Sequence, residues 1–289
     1  MNYLLYILIL ISIYSILALS LNLLVGYTGL LSLCQGAFYG IGAYASTLLM
    51  LKANLGFLPS LLLAMLTTAI LSLTISVPSL RLKGDYFVLA SLGFQMISFA
   101  VLYNWTALTE GPSGISGIPR PTLFGLHINT PGSYLIFSGL TALICASLLY
   151  VIMASPFGRV LKAIREDEIA TIALGKNVVR FKITAFAIAA AFAAVAGSLF
   201  AGYMRFIDPT SFTLTESVFI LSIIIIGGTG NIWGPLVGTV LMIALPEALR
   251  FLAIPDTIAA NVRQIIYGAL IVVIMRYRPR GLWGEYKFE

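Results

Sequence analysis

The sequence predicts an all-α integral membrane protein of about nine helical segments, folded as a single transmembrane domain over residues 1–289. Three observations carry this. The chain is 60% hydrophobic and 10% charged, with a mean hydropathy of +1.00, where soluble domains carry about 25% charged residues. Its first charged side chain is Lys52. The run Ser217–Pro246, SVFILSIIIIGGTGNIWGPLVGTVLMIALP, holds 30 residues without an ionisable group, yet its middle, GGTGNIWGP, is a poor helix interior. One straight helix of that length would measure about 45 Å, against about 30 Å for a bilayer core. The run is therefore expected to be a membrane element broken near 227–234.

Apolar segments run at 3–25, 33–51, 57–80, 86–104, 133–154, 181–204, 214–226, 232–249 and 262–277. The first has no basic region ahead of it, so it reads as a retained span and not as a cleaved leader. Threading the segments alternately through a bilayer, with the 155–180 loop cytoplasmic, gives an asymmetric charge distribution. Arg81, Lys83, Arg159, Lys162, Arg165, Lys176, Arg180, Lys182, Arg276, Arg278, Arg280 and Lys287 fall inside; Lys52, Arg120, Arg205, Arg250 and Arg263 fall outside. This satisfies the positive-inside rule with the N-terminus outside and the C-terminus inside. The same threading makes Leu214–Ile226 cross. Its length as helix is about 20 Å, so the glycine stretch is expected to complete the passage in non-helical form.

The external loop 105–132 is dense in Gly and Pro and reads as a turn-filled cap. Cys34 and Cys145 lie in separate apolar segments and read as buried hydrophobes, and the single His127 has no partner set, so no metal or cofactor is expected. The net charge of +6 is loop charge that fixes orientation against membrane lipid, with no nucleic-acid partner.

Small residues recur every fourth position: Gly36 and Gly40; Gly230, Gly234 and Gly238; Ala185, Ala189, Ala193, Gly197 and Ala201. Such faces let helices approach closely, within the chain or across a dimer seam. Gly26-Tyr27-Thr28-Gly29 and Gly227-Gly228-Thr229-Gly230 echo each other after apolar runs, the pattern that marks paired broken helices in repeat-built transporters. This makes Gly26, Thr28, Gly29, Gly228, Thr229, Gly230 and Asn231 candidates for a solute pathway, with bared amides of Gly228–Gly230 facing a carboxylate, or else simply for close packing.

The cytoplasmic loop 155–180 predicts one surface helix over 156–175, capped by Ser155, started by Pro156 and stopped by Gly175. Val160, Ile164, Glu168 and Ile172 share one face, and Leu161, Arg165 and Ile169 another.

Here GRVLKAIREDEIATIALGKNVVRFKITAF resembles the cytoplasmic loop of the permeases of bacterial branched-chain amino-acid ABC transporters. LNLLVGYTGLLSL, RLKGDYFVLASLGF, LTEGPSGI, GGTGNIWGPLVGT and RPRGLWG extend the resemblance over nearly the whole chain, and RLKGDYF with EGPSGI favours the M-type over the H-type permease. The resemblance implies a location in the bacterial inner membrane, a second permease of H-type, two ATP-binding subunits and an extracytoplasmic solute-binding protein. It also implies that Arg159, Arg165, Glu166, Glu168, Ala173 and Gly175 form the contact with the ATPase. Glu168 to Gly175 is one residue longer than the usual glycine-terminated coupling motif. Permeases of urea and short-chain amide importers look similar, which leaves the substrate open.

The chain has no phosphate-cradling GxxxxGK motif and no catalytic cluster, which speaks against a self-powered pump or an enzyme. No carboxylate, Lys or Arg lies deep in the first eight apolar segments, with Glu216 and Glu247 only flanking the broken pair, unlike ion-coupled carriers. A passive channel or a secondary carrier is the alternative class.

Overall fold

The computed structural model describes residues 2–79, 84–123, 126–128, 130–250, 266, 268–269, 272–274, 276–278 and 281–284. The helices are α1 (Asn2–Thr28), α2 (Gln35–Lys52), α3 (Phe57–Ser79), α4 (Asp85–Asn104), α5 (Thr106–Thr109), α6 (Pro131–Ala154), α7 (Pro156–Glu166), α8 (Glu168–Ala173), α9 (Val178–Met204), α10 (Leu214–Gly227) and α11 (Trp233–Arg250). Among the described residues, six spans are long and apolar enough to cross a membrane: Tyr3–Thr28, Phe57–Ser79, Asp85–Asn104, Pro131–Ala154, Val178–Met204 and Pro209–Gly227. The first eight apolar segments of the sequence thus each become a helix. The ninth, 262–277, lies largely outside the described residues, as does all of 80–83 with the RLK of one motif.

Helices α1, α2, α9 and α10 form the interior, and α3, α4 and α6 lie outside them. The outer three turn rows of leucine and isoleucine outward, among them Leu62, Leu66 and Ile70 on α3 and Leu140, Leu143 and Ile144 on α6. Such a surface suits lipid and would be unstable in water. At one end of the bundle, the cap end, Ile115–Ser116 (β1) pairs antiparallel with Phe206–Ile207 (β4), and Thr122–Leu123 (β2) pairs with Leu126–His127 (β3). Thr130 caps α6 there through a reciprocal box with Ser133. The opposite, connector end carries α7 and α8.

The interior is held by close backbone approach. A Cβ on Gly197 would stand 2.2 Å from the carbonyl oxygen of Tyr39, and one on Gly42 2.2 Å from the Ala194 Cα. The Ala185–Ala201 stripe therefore packs α9 against α2 within the chain, where dispersion between close helices substitutes for the weak hydrophobic drive in lipid. Gly36 and Gly40 face Ser217 and Phe212, and Gly234 and Gly238 face Gly228, Gly227 and Ile223.

The uncharged run corrects the expected non-helical passage. Helices α10 and α11 pair antiparallel, with Gly227 of one against Gly234 and Gly238 of the other, so the glycine stretch is a turn that reverses the chain. Gly228 (φ 102) and Gly230 (φ 93) take backbone angles that a side chain disfavours, and Asn231 Oδ1 accepts the Gly234 amide at 2.8 Å to cap α11. No extra length is needed, because α10 starts inside the bundle. The carbonyl of Phe212, just before it, accepts a hydrogen bond from Gln95 Nε2 midway along α4, and Pro209–Phe212 adds a 3-10 turn above.

Helix α2 also starts inside. Gln35 Nε2 donates to Ser20 Oγ at 2.6 Å, two turns (about 12 Å) short of the end of α1. Helices α1 and α9 both have 27 residues and both end in the left-handed region, at Gly29 (φ 71) and Arg205 (φ 58). Each leads through an irregular segment into a shorter helix, and the two halves run oppositely, so α2 and α10 meet N-terminus to N-terminus where the Gly36 amide donates to Ser217 Oγ (2.8 Å). The echo read between Gly26–Gly29 and Gly227–Gly230 does not mark equivalent elements, because both lie at the connector end and touch.

Candidate functional site

Two residue sets expected to act separately, the glycine breaks and the connector loop, meet at one place. Asn22 Oδ1 accepts the Gly230 amide at 3.1 Å, and Asn22 Nδ2 donates to the Asn231 carbonyl at 2.7 Å. A Cβ on Gly26 would stand 2.6 Å from the Gly230 nitrogen. Arg165 Nη1, on α7, donates to the Gly26 carbonyl, and the Lys162 ammonium sits 5.0 Å above the Tyr27 ring. Thr28 Oγ1 bonds back to the Leu24 carbonyl at 2.6 Å, and Gly29 lies against the Arg165 side chain. On the other side, Asn231 Nδ2 donates to the Trp283 carbonyl, while the amides of Leu282 and Trp283 donate to the carbonyls of Ile226 and Gly227 at 2.9 Å each. A cleft of about 600 Å³ opens beside this knot, lined by Tyr27, Tyr150, Lys162, Gly230, Asn231 and Trp233.

The expectation of bared amides is corrected here. The Gly228 N–H is spent on the Ile224 carbonyl at 2.8 Å as the cap of α10, and the Gly230 N–H is spent on Asn22. The Thr229 hydroxyl is buried with no hydrogen-bond partner among the described residues. The stretch is a structural joint at the connector end and not an open anion nest at mid-depth.

The connector is also two helices where one was expected. The Asp167 amide closes α7 on the Ala163 carbonyl, and Asp167 Oδ1 accepts the Ala170 amide at 3.0 Å to open α8. An Asp with a free short carboxylate prefers a cap to a helix interior, so the chain bends there. Ser155 does not cap α7 with its side chain; its hydroxyl donates to the Ile152 carbonyl at 2.6 Å. Gly175 (φ 76) does stop the connector, with its amide on the Ile172 carbonyl.

Arg165 pairs with Glu166, and Glu168 with the buried Lys182 at 2.7 Å, which ties α8 to α9. Leu161 and Ile164 pack inward, whereas Ile169, Ile172 and Leu174 are 76%, 55% and 77% exposed, with Arg159, Ala173 and Gly175 also on the surface. Of the expected coupling residues, Arg165 faces the bundle and Ala173 and Gly175 face away from it.

The profile of the family described as branched-chain amino acid transport system / permease component matches residues 3–275. The chain belongs to that permease family. The permease is 41% identical over 293 residues to the high-affinity branched-chain amino acid transport system permease protein LivM of Salmonella typhimurium, covering 93% of this chain and 67% of that protein. It is 28% identical to a probable LivM of Methanocaldococcus jannaschii, with 94% and 90% covered. It is 25% identical to the LivH of Salmonella typhimurium, with 96% and 93% covered, so the M-type likeness is the stronger. No solved structure matches.

The permease carries a second polar junction that the sequence reading passed over. At mid-depth Gln95 Oε1 accepts the Ala37 amide (2.6 Å) and the Ser217 hydroxyl (3.0 Å) while its Nε2 holds the Phe212 carbonyl (2.8 Å). Glu216, read as flanking, in fact lies deep: its carboxylate accepts a hydrogen bond from Tyr14, the middle of α1. Asn22 and Gln95 stand as lone amides in apolar runs, a signal that the sequence does contain.

Proposed function

We propose that the chain is the M-type permease subunit of an ABC importer for branched-chain amino acids in the bacterial inner membrane. It works beside an H-type permease, two ATP-binding subunits that hydrolyse the ATP, and an extracytoplasmic binding protein. The observation that carries this reading is α8. This six-residue helix and the Leu174 that follows it present three large apolar side chains away from the bundle, just past α7, whose Arg165 grips the end of α1. Exposed leucine and isoleucine on a connector outside the spanning segments suit a protein partner. The LivM relatives support the substrate class, and the LivH relatives a two-permease pore.

In this reading the connector end is cytoplasmic, the N-terminus outside and the C-terminus inside, in agreement with the positive-inside distribution. Closure of the ATPases pushes α8 and, through Arg165 and the Glu168–Lys182 pair, moves α1 and α9. Gly26–Gly29 and Gly228–Asn231 then form the inner joint of the pathway, whose packing changes as the two permeases rock.

Purification of the tagged chain in mild detergent, with identification of what accompanies it, tests this. Recovery of a second permease with ATP-binding subunits, and ATP-dependent leucine uptake when these are reconstituted with the binding protein, is the expected result. A chain recovered alone that passes solute without ATP would make it a passive channel, and uptake of urea or amides instead of leucine would change the substrate class.

A further inference from the structure

Glu216 sits in the first turn of α10, after Thr213, and its carboxylate is bound by the Tyr14 hydroxyl at the centre of α1. Among the described residues no Lys or Arg pairs with it. The Tyr39 hydroxyl, also in the interior, is buried without a hydrogen-bond partner among the described residues. A carboxylate at the middle of a bilayer is costly, and proteins keep one there where it faces a solute path or a wet cavity. Glu216 is only partly exposed, while its sequence neighbours Thr215 and Val218 are exposed along the same helix. The outward faces of α3, α4 and α6, by contrast, are lined by exposed apolar side chains suited to lipid. Among the described residues its one hydrogen-bond partner is the Tyr14 hydroxyl, and the adjacent Ser217 hydroxyl donates to Gln95 Oε1. A cation arriving beside the carboxylate would meet an acceptor that no described ion pair already occupies.

We propose that Glu216, positioned by Tyr14, is the mid-depth contact that takes the ammonium group of a zwitterionic amino acid on its way through the permease. The assignment rests on the importer reading above and adds to it a location and a chemistry. The ammonium supplies a positive charge and three donors to a carboxylate that the Tyr14 hydroxyl already holds in place. The apolar side chain of the solute then meets Phe219 and Val218, which flank Glu216 on α10.

The test uses the complete complex in proteoliposomes with its binding protein. Glu216→Gln should lower initial leucine uptake about tenfold to hundredfold, the scale of a lost charge-assisted hydrogen bond, while Glu216→Asp keeps part of it and the complex still purifies intact. In a second measurement Thr215→Cys, in the assembled complex, should react faster with a cationic than with an anionic methanethiosulfonate reagent, and this preference should vanish when Glu216→Gln is added. Native Cys34 and Cys145 are buried and give little background. Unchanged uptake in Glu216→Gln, absence of charge preference at Thr215→Cys, or loss of the complex in Gln and Asp variants alike would overturn the proposal and leave Glu216 as a helix-capping residue. Failure of the wild-type complex to import leucine would instead sink the importer reading, and the labelling preference would still decide whether Glu216 attracts cations.

Discussion

Asn22 closes a hydrogen-bonded ring with the hairpin turn, accepting from the Gly230 amide at 3.1 Å and donating to the Asn231 carbonyl at 2.7 Å. One side chain thus joins α1 to the α10–α11 turn, 208 residues away. Asn22→Leu should leave two buried backbone groups unpaired at a cost of roughly 1–3 kcal/mol each. The thermal midpoint of the purified complex should fall by several degrees, and Asn22→Asp, which keeps the acceptor for Gly230, should fall less.

The glycines divide sharply by what surrounds them. Gly26→Ala and Gly197→Ala drive a methyl group into backbone at 2.6 and 2.2 Å, and both should sharply reduce the yield of folded protein. Gly93→Ala and Gly139→Ala meet nothing within 4 Å, lie inside helices, and should raise stability by about 0.5–1 kcal/mol. Fluorescence-detected size exclusion of the four variants measures this directly.

The exposed apolar knob of α8 separates coupling from folding. Ile172→Asp or Leu174→Asp should leave the permease folded, since neither side chain packs into the bundle, and should abolish copurification of the ATP-binding subunits. If the ATPase still binds both variants, the docking surface lies elsewhere.

The Glu168–Lys182 pair should behave as an anchor with direction. Glu168→Ala strands a buried ammonium and should uncouple uptake from ATP hydrolysis, at a stability cost of about 1–3 kcal/mol. Exchanging the two residues should recover much of the coupling, because the opposite charges still meet at the α8–α9 junction. Measurement of leucine imported per ATP hydrolysed in both variants, against stability, checks this.

Much of the fold was legible in the sequence. The eight apolar segments, the Gly-broken run and the breaker-rich cap all follow from hydropathy and backbone preference, because lipid forces every span to satisfy its own backbone. The connector was legible too, from Pro156 at its start to Gly175 at its end, but its division at Asp167 was not. A carboxylate in that position fits an exposed helix face as well as a cap, and only the local hydrogen bond to Ala170 decides between them.

What the sequence by itself determined, then, was the class of molecule, its first eight helical segments, its permease family and the residues worth watching. What the tertiary structure decided was depth and partnership. Linear spacing does not say that α2 and α10 begin inside the bundle, so it placed the glycine breaks at mid-depth and Glu216 at the edge; the contacts of Gln35 with Ser20, Gln95 with Phe212 and Tyr14 with Glu216 reverse that assignment. The amides of Gly228 and Gly230 are likewise spent on Ile224 and Asn22. Hydropathy fixes how many residues lie in lipid, whereas only long-range hydrogen bonds and close glycine contacts fix which residues meet and at what level of the membrane.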